Sequence, residues 1–297
     1  MGTLYLVATP IGNLEDISAR ALRILAQASL IAAEDTRRTG QLLSHFHIQN
    51  ELVSYFEHNK LARLDEILAK LEAGDVALVS DAGTPNLSDP GYELVRSALA
   101  AGHNVVPIPG PSALLAALVA SGLPTDAFVY IGFLPRKDAE RRHLLDTLAA
   151  EPRTIVAYEA PHRLLAALAD VEAALGDRPV AVARELTKLH EEIFRGSASV
   201  ARRHFASKEI LGEITLVIGG AATASAAVWE PGAVRAEVAR LLAGGVKKKD
   251  VARQVAAVSG WPQREVYRVA AAQPLALAEP AAAKEEKSSA DETLALR

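Results

Sequence analysis

Apolar runs of strand length recur along the first 110 residues, at Leu4–Ala8, Leu30–Ala33, Val76–Ser80 and Val105–Ile108. Longer amphipathic stretches lie between them. In one, Leu61, Leu64, Ile67, Leu68 and Leu71 share a helical face, which predicts a helix over Leu61–Leu71. Strands alternating with helices predict a largely parallel sheet covered on both faces. A second series follows Gly122-Leu123-Pro124-Thr125. Its predicted strands are Phe128–Gly132, Thr154–Tyr158, Val180–Ala183 and Ile214–Ile218, and its predicted helices Ala139–Ala149, Pro161–Leu175 and Ser197–Phe205. A domain boundary is expected near residue 123.

From Pro231 the pattern is helical only. Ala233–Leu242 stops at Gly244-Gly245, Lys248–Val258 stops at Ser259-Gly260, and Pro262 opens a third helix that runs to Gln273. Three short helices with tight turns are compatible with a helix-turn-helix unit. The segment Ala276–Arg297 has no apolar face and is expected to be disordered. The chain thus divides into residues 1–123 and 124–229, both α/β, a helical unit 230–275, and a tail 276–297.

Composition narrows the chemistry. Half of the 297 residues are apolar and 23% are charged, as in soluble globular proteins. With no cysteine there is no disulfide scaffold, thiolate zinc site, iron–sulfur cluster or cysteine nucleophile, and a reducing cytoplasm is the expected location. No apolar run reaches the roughly 18–20 residues that span a bilayer, so no membrane partner is expected. Residues Met1–Ala8 lack a basic stretch and read as an opening strand rather than a signal peptide. The eight histidines form no H-E-x-x-H pattern, and no metal is expected. The net charge is −4, yet residues 230–275 carry eight Lys/Arg against four Asp/Glu, a local excess of four positive charges.

Four strand-end segments carry candidate chemistry. Ala8-Thr9-Pro10-Ile11-Gly12-Asn13 follows the first strand at the sheet edge where open α/β folds bind ligands. It lacks G-x-G-x-x-G and a P-loop lysine, which disfavours dinucleotides and nucleoside triphosphates. Glu34-Asp35-Thr36-Arg37-Arg38 ends the second strand and reads equally as a salt-bridged helix start or a substrate-facing cluster. The strongest segment is Ser80-Asp81-Ala82-Gly83-Thr84-Pro85-Asn86-Leu87-Ser88-Asp89-Pro90-Gly91. Its small residues permit close backbone approach to a ligand, and Asp89 reads as the N-cap of a helix started by Pro90. Pro109-Gly110-Pro111-Ser112-Ala113 is the fourth. Neither of the last two offers a cation for phosphate, so a zwitterionic or nucleoside-like ligand fits best.

In this order these motifs resemble the tetrapyrrole-methylase superfamily, and more closely its branch that modifies small-subunit ribosomal RNA. Tyr158-Glu159-Ala160-Pro161-His162-Arg163, Ala183-Arg184-Glu185-Leu186-Thr187-Lys188 and Gly212-Glu213-Ile214-Thr215-Leu216 extend the likeness over about residues 3–220. The corrin-making branch has a Gly-x-Gly-Pro-Gly loop where this chain has Thr9-Pro10-Ile11-Gly12-Asn13, which favours the RNA branch.

The resemblance implies two α/β domains with a cleft for S-adenosylmethionine (AdoMet) between them, plus a small C-terminal three-helix unit. It implies 2′-O-methylation of a cytidine ribose in the decoding region of 16S rRNA, with the small subunit or its rRNA as partner, and a homodimer. Methylation of a small tetrapyrrole, or a non-catalytic AdoMet-binding assembly factor, are the alternatives. By the same likeness Ser80, Asp81, Ala82, Gly83, Thr84, Pro85, Gly110, Pro111, Ser112 and Ala113 would hold AdoMet from the first domain. Tyr158, Leu186, Glu213, Ile214 and Thr215 would meet it from the second. A ribose hydroxyl is a poor nucleophile at neutral pH. Asp81, Glu34, Asp35 and Glu159 are therefore candidate bases, and Arg37 a candidate to hold RNA phosphate or polarise the ribose. Lys247, Lys248, Lys249, Arg253, Arg264 and Arg268 are candidate RNA contacts, while Trp261 and Tyr267 read as small-core anchors.

Overall fold

The computed structural model describes residues 2–222 and 229–273. The expected disordered tail, 276–297, lies outside the described residues. Tertiary contacts divide the chain into two compact units, Met1–Ala221 and Ala222–Arg297.

The first unit contains two five-stranded sheets. Chain order begins β1 (Thr3–Val7), α1 (Ala19–Gln27), β2 (Leu30–Ala33), α2 (Thr36–His45), β3 (Leu52–Ser54), α3 (Lys60–Ala73), β4 (Val76–Val79), α4 (Tyr92–Ala100), β5 (Asn104–Ile108) and α5 (Ala113–Ala120). The sheet order is β3-β2-β4-β1-β5, all parallel. Every residue of β2 and β4 is buried, as expected for inner strands covered on both faces. Helices on opposite faces close two separate cores. Ile67, Leu71, Leu94 and Ala98 pack on one side, and Ala21, Leu25 and Leu43 on the other.

The second sheet is built from β6 (Phe128–Phe133), α6 (Asp138–Thr147), β7 (Thr154–Glu159), α7 (Leu164–Leu175), β8 (Pro179–Arg184), β9 (Glu192–Ser197), α8 (Ala198–Ala206) and β10 (Ile214–Ile218). Its order is β6-β7-β10-β8-β9. Here the expectation of a largely parallel sheet fails. Only the β6–β7 pairing is parallel; β10 runs antiparallel between β7 and β8, and β8 and β9 form an antiparallel hairpin. Two strands, β3 and β9, were absent from the sequence pattern. Both are sheet edges, and β9 carries Glu192 and Arg195, charges that blunt an edge and break an apolar run.

Two helix starts also differ. Pro90 does not open a helix; α4 begins at Tyr92 behind Gly91, whose φ of 157° glycine alone adopts readily. Asp89 is therefore not an N-cap. Pro161 to Arg163 form a 3-10 turn, and α7 proper starts at Leu164.

The second unit holds α9 (Pro231–Ala243), α10 (Lys248–Ser259) and α11 (Gln263–Ala272) around Val234, Val238, Val251, Val255 and Val266. Gly260 ends α10 in the left-handed conformation, with φ of 68°. Trp261 packs against this core and donates its indole N–H to the Trp229 carbonyl at 2.8 Å. Tyr267 is exposed and is not a core anchor.

Candidate active site

All five strands of the first sheet point their C-terminal ends to one edge, where the four strand-end segments gather. Hydrogen bonds tie three of them together. Thr9 and Gly83 exchange two backbone hydrogen bonds, 2.8 and 3.0 Å long. The Thr9 hydroxyl donates to Ser80 O at 3.3 Å, and the Thr84 hydroxyl to Pro111 O at 3.2 Å. Gly83 has φ of 83°, which lets the loop turn beneath the cavity. Ser112 accepts from Leu115 N and caps α5, so the positive end of that helix opens beside Ala113.

The second sheet faces these loops with the end of β7, the turn after β8 and the entry to β10. Between the two sets lies a cavity of about 430 Å³. Asp81, Ala82, Gly83, Thr84, Ser112 and Ala113 line it from the first sheet, and Tyr158, Leu186, Glu213, Ile214 and Thr215 from the second. Ser80, Pro85, Gly110 and Pro111 do not line it. Ser80 instead borders an adjoining cavity of about 250 Å³, which shares Arg38 and Asp81 with the first. Gly110 permits close packing, since a Cβ there would sit 3.0 Å from that of Ala8.

The Glu34–Arg38 segment divides between the two readings given to it. Asp35 accepts from Arg37 N at 2.9 Å and from the Arg37 guanidinium at 2.7 and 3.1 Å. These hydrogen bonds hold its carboxyl well below the usual range. The Arg37 side chain is 87% exposed, and neither residue lines the cavity; this half is a salt-bridged helix start. Glu34 and Arg38 do line it. Glu34 accepts from Asp81 N at 3.3 Å, and Asp81 accepts from Asp35 N at 2.9 Å while facing Arg38 at 3.5 Å. Burial pushes the Glu34 carboxyl up against the opposing pull of that Asp81 N–H.

Glu159 is buried at the end of β7. Its Oε1 accepts from Ala160 N and from Arg163, both at 2.6 Å, and its Oε2 has no partner. Burial raises this carboxyl, opposed by the Ala160 N–H and the Arg163 charge. Tyr158 stands edge-on to Tyr130 at 5.5 Å and tilted to Phe133 at 5.3 Å between centroids. That aromatic cluster forms one wall.

Asp89 lines the cavity as well, and sequence reasoning missed it by reading it as a helix cap. Burial pushes its carboxyl up to about 7, with the Glu34 and Asp81 charges adding to the rise and a Ser80 hydrogen bond opposing it. Phe133, Ser88 and Gly212, motif residues given no role from the sequence, also line the cavity. No group of three His, Cys, Asp or Glu able to hold a metal occurs among the described residues.

The six basic candidates lie on or beside α10 and α11 in the second unit. They are not equivalent. Lys248 donates to Ala271 O at 3.3 Å and Gln273 O at 3.4 Å, closing the C-terminal end of α11. Arg253 pairs with Asp250 at 3.0 Å; Lys247, Lys249, Arg264 and Arg268 are exposed. A Lys248→Met change is expected to weaken the three-helix unit by about 0.5–1 kcal/mol, the worth of a cation at a helix C-terminus. Hydrogen exchange of the α11 amides reads this, and unchanged protection would contradict it.

The family model for tetrapyrrole (corrin/porphyrin) methylases matches residues 3–201. The chain is 50% identical over 271 residues to the ribosomal RNA small subunit methyltransferase I of Synechocystis sp., covering 91% of this chain and 97% of that one. The protein of the same name from Thermotoga maritima is 52% identical over 221 residues, 74% of this chain and 99% of that one. Among solved structures, a uroporphyrin-III C-methyltransferase from Thermus thermophilus in complex with S-adenosylhomocysteine shares the fold, with a TM-score of 0.52 and 21% identity over 73% of this chain and 97% of that one. A cobalt precorrin-4 methyltransferase of cobalamin biosynthesis does so with a TM-score of 0.56 and 18% identity over 73% and 94%.

Proposed function

The chain belongs to the ribosomal RNA small subunit methyltransferase I family, on the tetrapyrrole-methylase fold, and from that premise we propose that its cleft directs AdoMet-dependent 2′-O-methylation of a cytidine ribose in the decoding region of 16S rRNA. The observation that carries the reading is the identity of half the residues over nine-tenths of the chain.

The lining residues fit AdoMet. They hold five carboxyl groups, Glu34, Asp81, Asp89, Glu159 and Glu213, against the single guanidinium of Arg38. Such a cleft attracts a sulfonium and an ammonium and repels polyphosphates. Gly83 and Gly212 line the cavity with φ of 83° and 89°, and a Cβ there would meet Ile11 and the Glu185 side chain respectively. When bound, the cofactor supplies a methyl group already activated on sulfur. The chain's own part is orientation and exclusion of water. The Gly83–Thr84 rim and the Ser112–Ala113 helix start hold one side, and Tyr158, Leu186 and Glu213–Thr215 the other. The seam between the two α/β domains falls near residue 123 in this reading, and a cytoplasmic homodimer belongs to it. No helix among the described residues is long and apolar enough to cross a membrane.

The test is methyl transfer from labelled AdoMet to small subunits or their rRNA, followed by mass mapping of nucleosides. A single 2′-O-methylcytidine is the expected product. Transfer to porphyrinoid acceptors, or to no RNA despite confirmed AdoMet binding, would overturn the reading.

The basic helices contribute affinity rather than chemistry. The Thermotoga maritima relative is covered to 99% by 221 residues, so that name is carried by a chain about as long as the first unit alone. Replacing Lys249, Arg253, Arg264 and Arg268 together by Ala is expected to leave turnover at saturating RNA unchanged. The slope of log K against log salt should fall by about 3, at roughly 0.7 per released counterion on single strands. An unchanged slope would remove RNA contact from this unit.

A further inference from the structure

Methylation of a ribose hydroxyl at neutral pH leaves a proton to be placed, and the cleft offers five carboxyl groups to receive it. Four are already occupied. Asp81 accepts from Asp35 N and faces Arg38; Glu34 accepts from Asp81 N; Glu159 is held by Arg163 and Ala160 N; Glu213 faces Lys188 at 3.3 Å. In each of these four a cation or a backbone amide already engages at least one carboxylate oxygen. Asp89 has neither among the described residues, and the Ser80 hydroxyl near it donates to Ala82 O at 3.5 Å.

The backbone around Asp89 is bent to present it. Asn86 and Ser88 are non-glycine residues with φ of 72° and 65°, and Gly91 has φ of 157°. Left-handed conformations at such residues persist only where surroundings over-determine them, and they cluster at functional sites. One such constraint is visible: the Ser88 and Tyr130 hydroxyls meet at 2.6 Å, joining this loop to the second sheet. The groups facing Asp89 are Glu34 just after β2, Ser80 and Asp81 just after β4, Tyr130 from β6 and Tyr158 from β7, with Arg38 of α2 turned to Asp81.

We propose that Asp89 is the catalytic residue that takes the proton from the ribose 2′-hydroxyl, a role that rests on the rRNA methyltransferase reading. The O2′–CH3 bond forms as the S–CH3 bond breaks, sulfur keeps the electron pair of the broken bond, and the hydroxyl proton passes to the Asp89 carboxylate. Burial and two neighbouring carboxylates push this group up to about 7, where a base is both ionised and proton-seeking under working conditions. Only the ionised form accepts, so the rate rises with pH through a limb at or below about 7. A cationic cofactor beside it moves the limb downward.

The test compares wild type with Asp89→Asn and Asp89→Glu in the full chain, using small subunits and AdoMet. Asp89→Asn is near-isosteric. It is expected to lower the single-turnover rate at least ~100-fold, to weaken AdoMet binding by calorimetry no more than about tenfold, as removal of one carboxylate beside a cation allows, and to lack the limb in its residual rate. Asp89→Glu is expected to keep the limb at a reduced rate. A stability readout accompanies this. A carboxyl raised in the folded state contributes stability below its unfolded value near 4 and loses it as pH rises through about 7. Asp89→Asn should therefore raise the melting point at pH 8 and not at pH 4. A rate within threefold of wild type, a limb that survives in Asp89→Asn, or loss of AdoMet binding overturns the proposal. A wild type that binds AdoMet and transfers nothing to RNA overturns the underlying reading and this role with it.

Discussion

Gly83→Val is expected to weaken AdoMet binding by at least ~100-fold, equivalent to about 2.7 kcal/mol, while the protein still folds. Two constraints act at this position. Its φ of 83° is strained for any residue with a Cβ and most for a β-branched one, at about 1–3 kcal/mol. Its N–H and C=O are both bonded to Thr9, so the residue cannot relax to negative φ without releasing the first loop from the third. A Cβ at Gly83 would also stand 3.3 Å from Ile11 Cγ2, tighter than an ordinary contact. The loop moves, and the cleft wall moves with it. Calorimetric titration with AdoMet measures the loss, and Gly83→Ala provides a smaller step in the same direction. Affinity within threefold of wild type in the Val variant would sink the assignment of this rim to the cofactor.

How much of this was legible beforehand depended on burial. β2 and β4 are buried at every residue, and their continuous apolar runs announce them. β5 and β6 are sheet edges too and were readable, so an edge position alone does not silence the pattern; β3 is only three residues long, and β9 is broken by Glu192 and Arg195. The antiparallel insertion of β10 was illegible for another reason. Hydrophobic periodicity identifies a buried strand but carries no direction. The site followed a similar division. Small-residue loops after parallel strands must share an edge, so their meeting was readable from topology. Asp89 was not readable. Asp-Pro-Gly has the chemistry of a helix cap, and only the contact of Ser88 with Tyr130 from the second sheet decides that it turns to the cleft instead. Lys248 shows the converse: a charge in a basic run is already engaged with carbonyls 23 and 25 residues later in the chain.

Asp170→Ala is expected to cost about 3–5 kcal/mol of stability, the largest single loss we anticipate outside the cleft. Asp170 on α7 receives Arg141 Nε at 2.8 Å and Nη2 at 2.6 Å on one oxygen, and Arg142 Nε at 2.8 Å on the other. The Arg141 side chain is 2% exposed, so its guanidinium has little water to fall back on. Its remaining partner would be Asp138 at 2.8 Å, whose own side chain is largely in solvent. Removing Asp170 thus strands a buried charge rather than deleting one ion pair. At roughly 2–4 °C per kcal/mol for a domain of this size, the melting point should fall by about 6–20 °C. Replacing both partners, Arg141→Met with Asp170→Leu, removes the stranded charge and should recover most of the loss. The pair also reaches the active site electrostatically. Arg141 is one of the positive charges that oppose the burial-driven rise of the Glu159 carboxyl. Asp170→Ala keeps that charge and should leave the Glu159 titration in place. The double replacement removes it and should raise the Glu159 carboxyl further, visible in the pH dependence of AdoMet binding. Urea unfolding of the single and double variants separates packing from charge, and a single variant within 1 kcal/mol of wild type would refute the stranded-charge account.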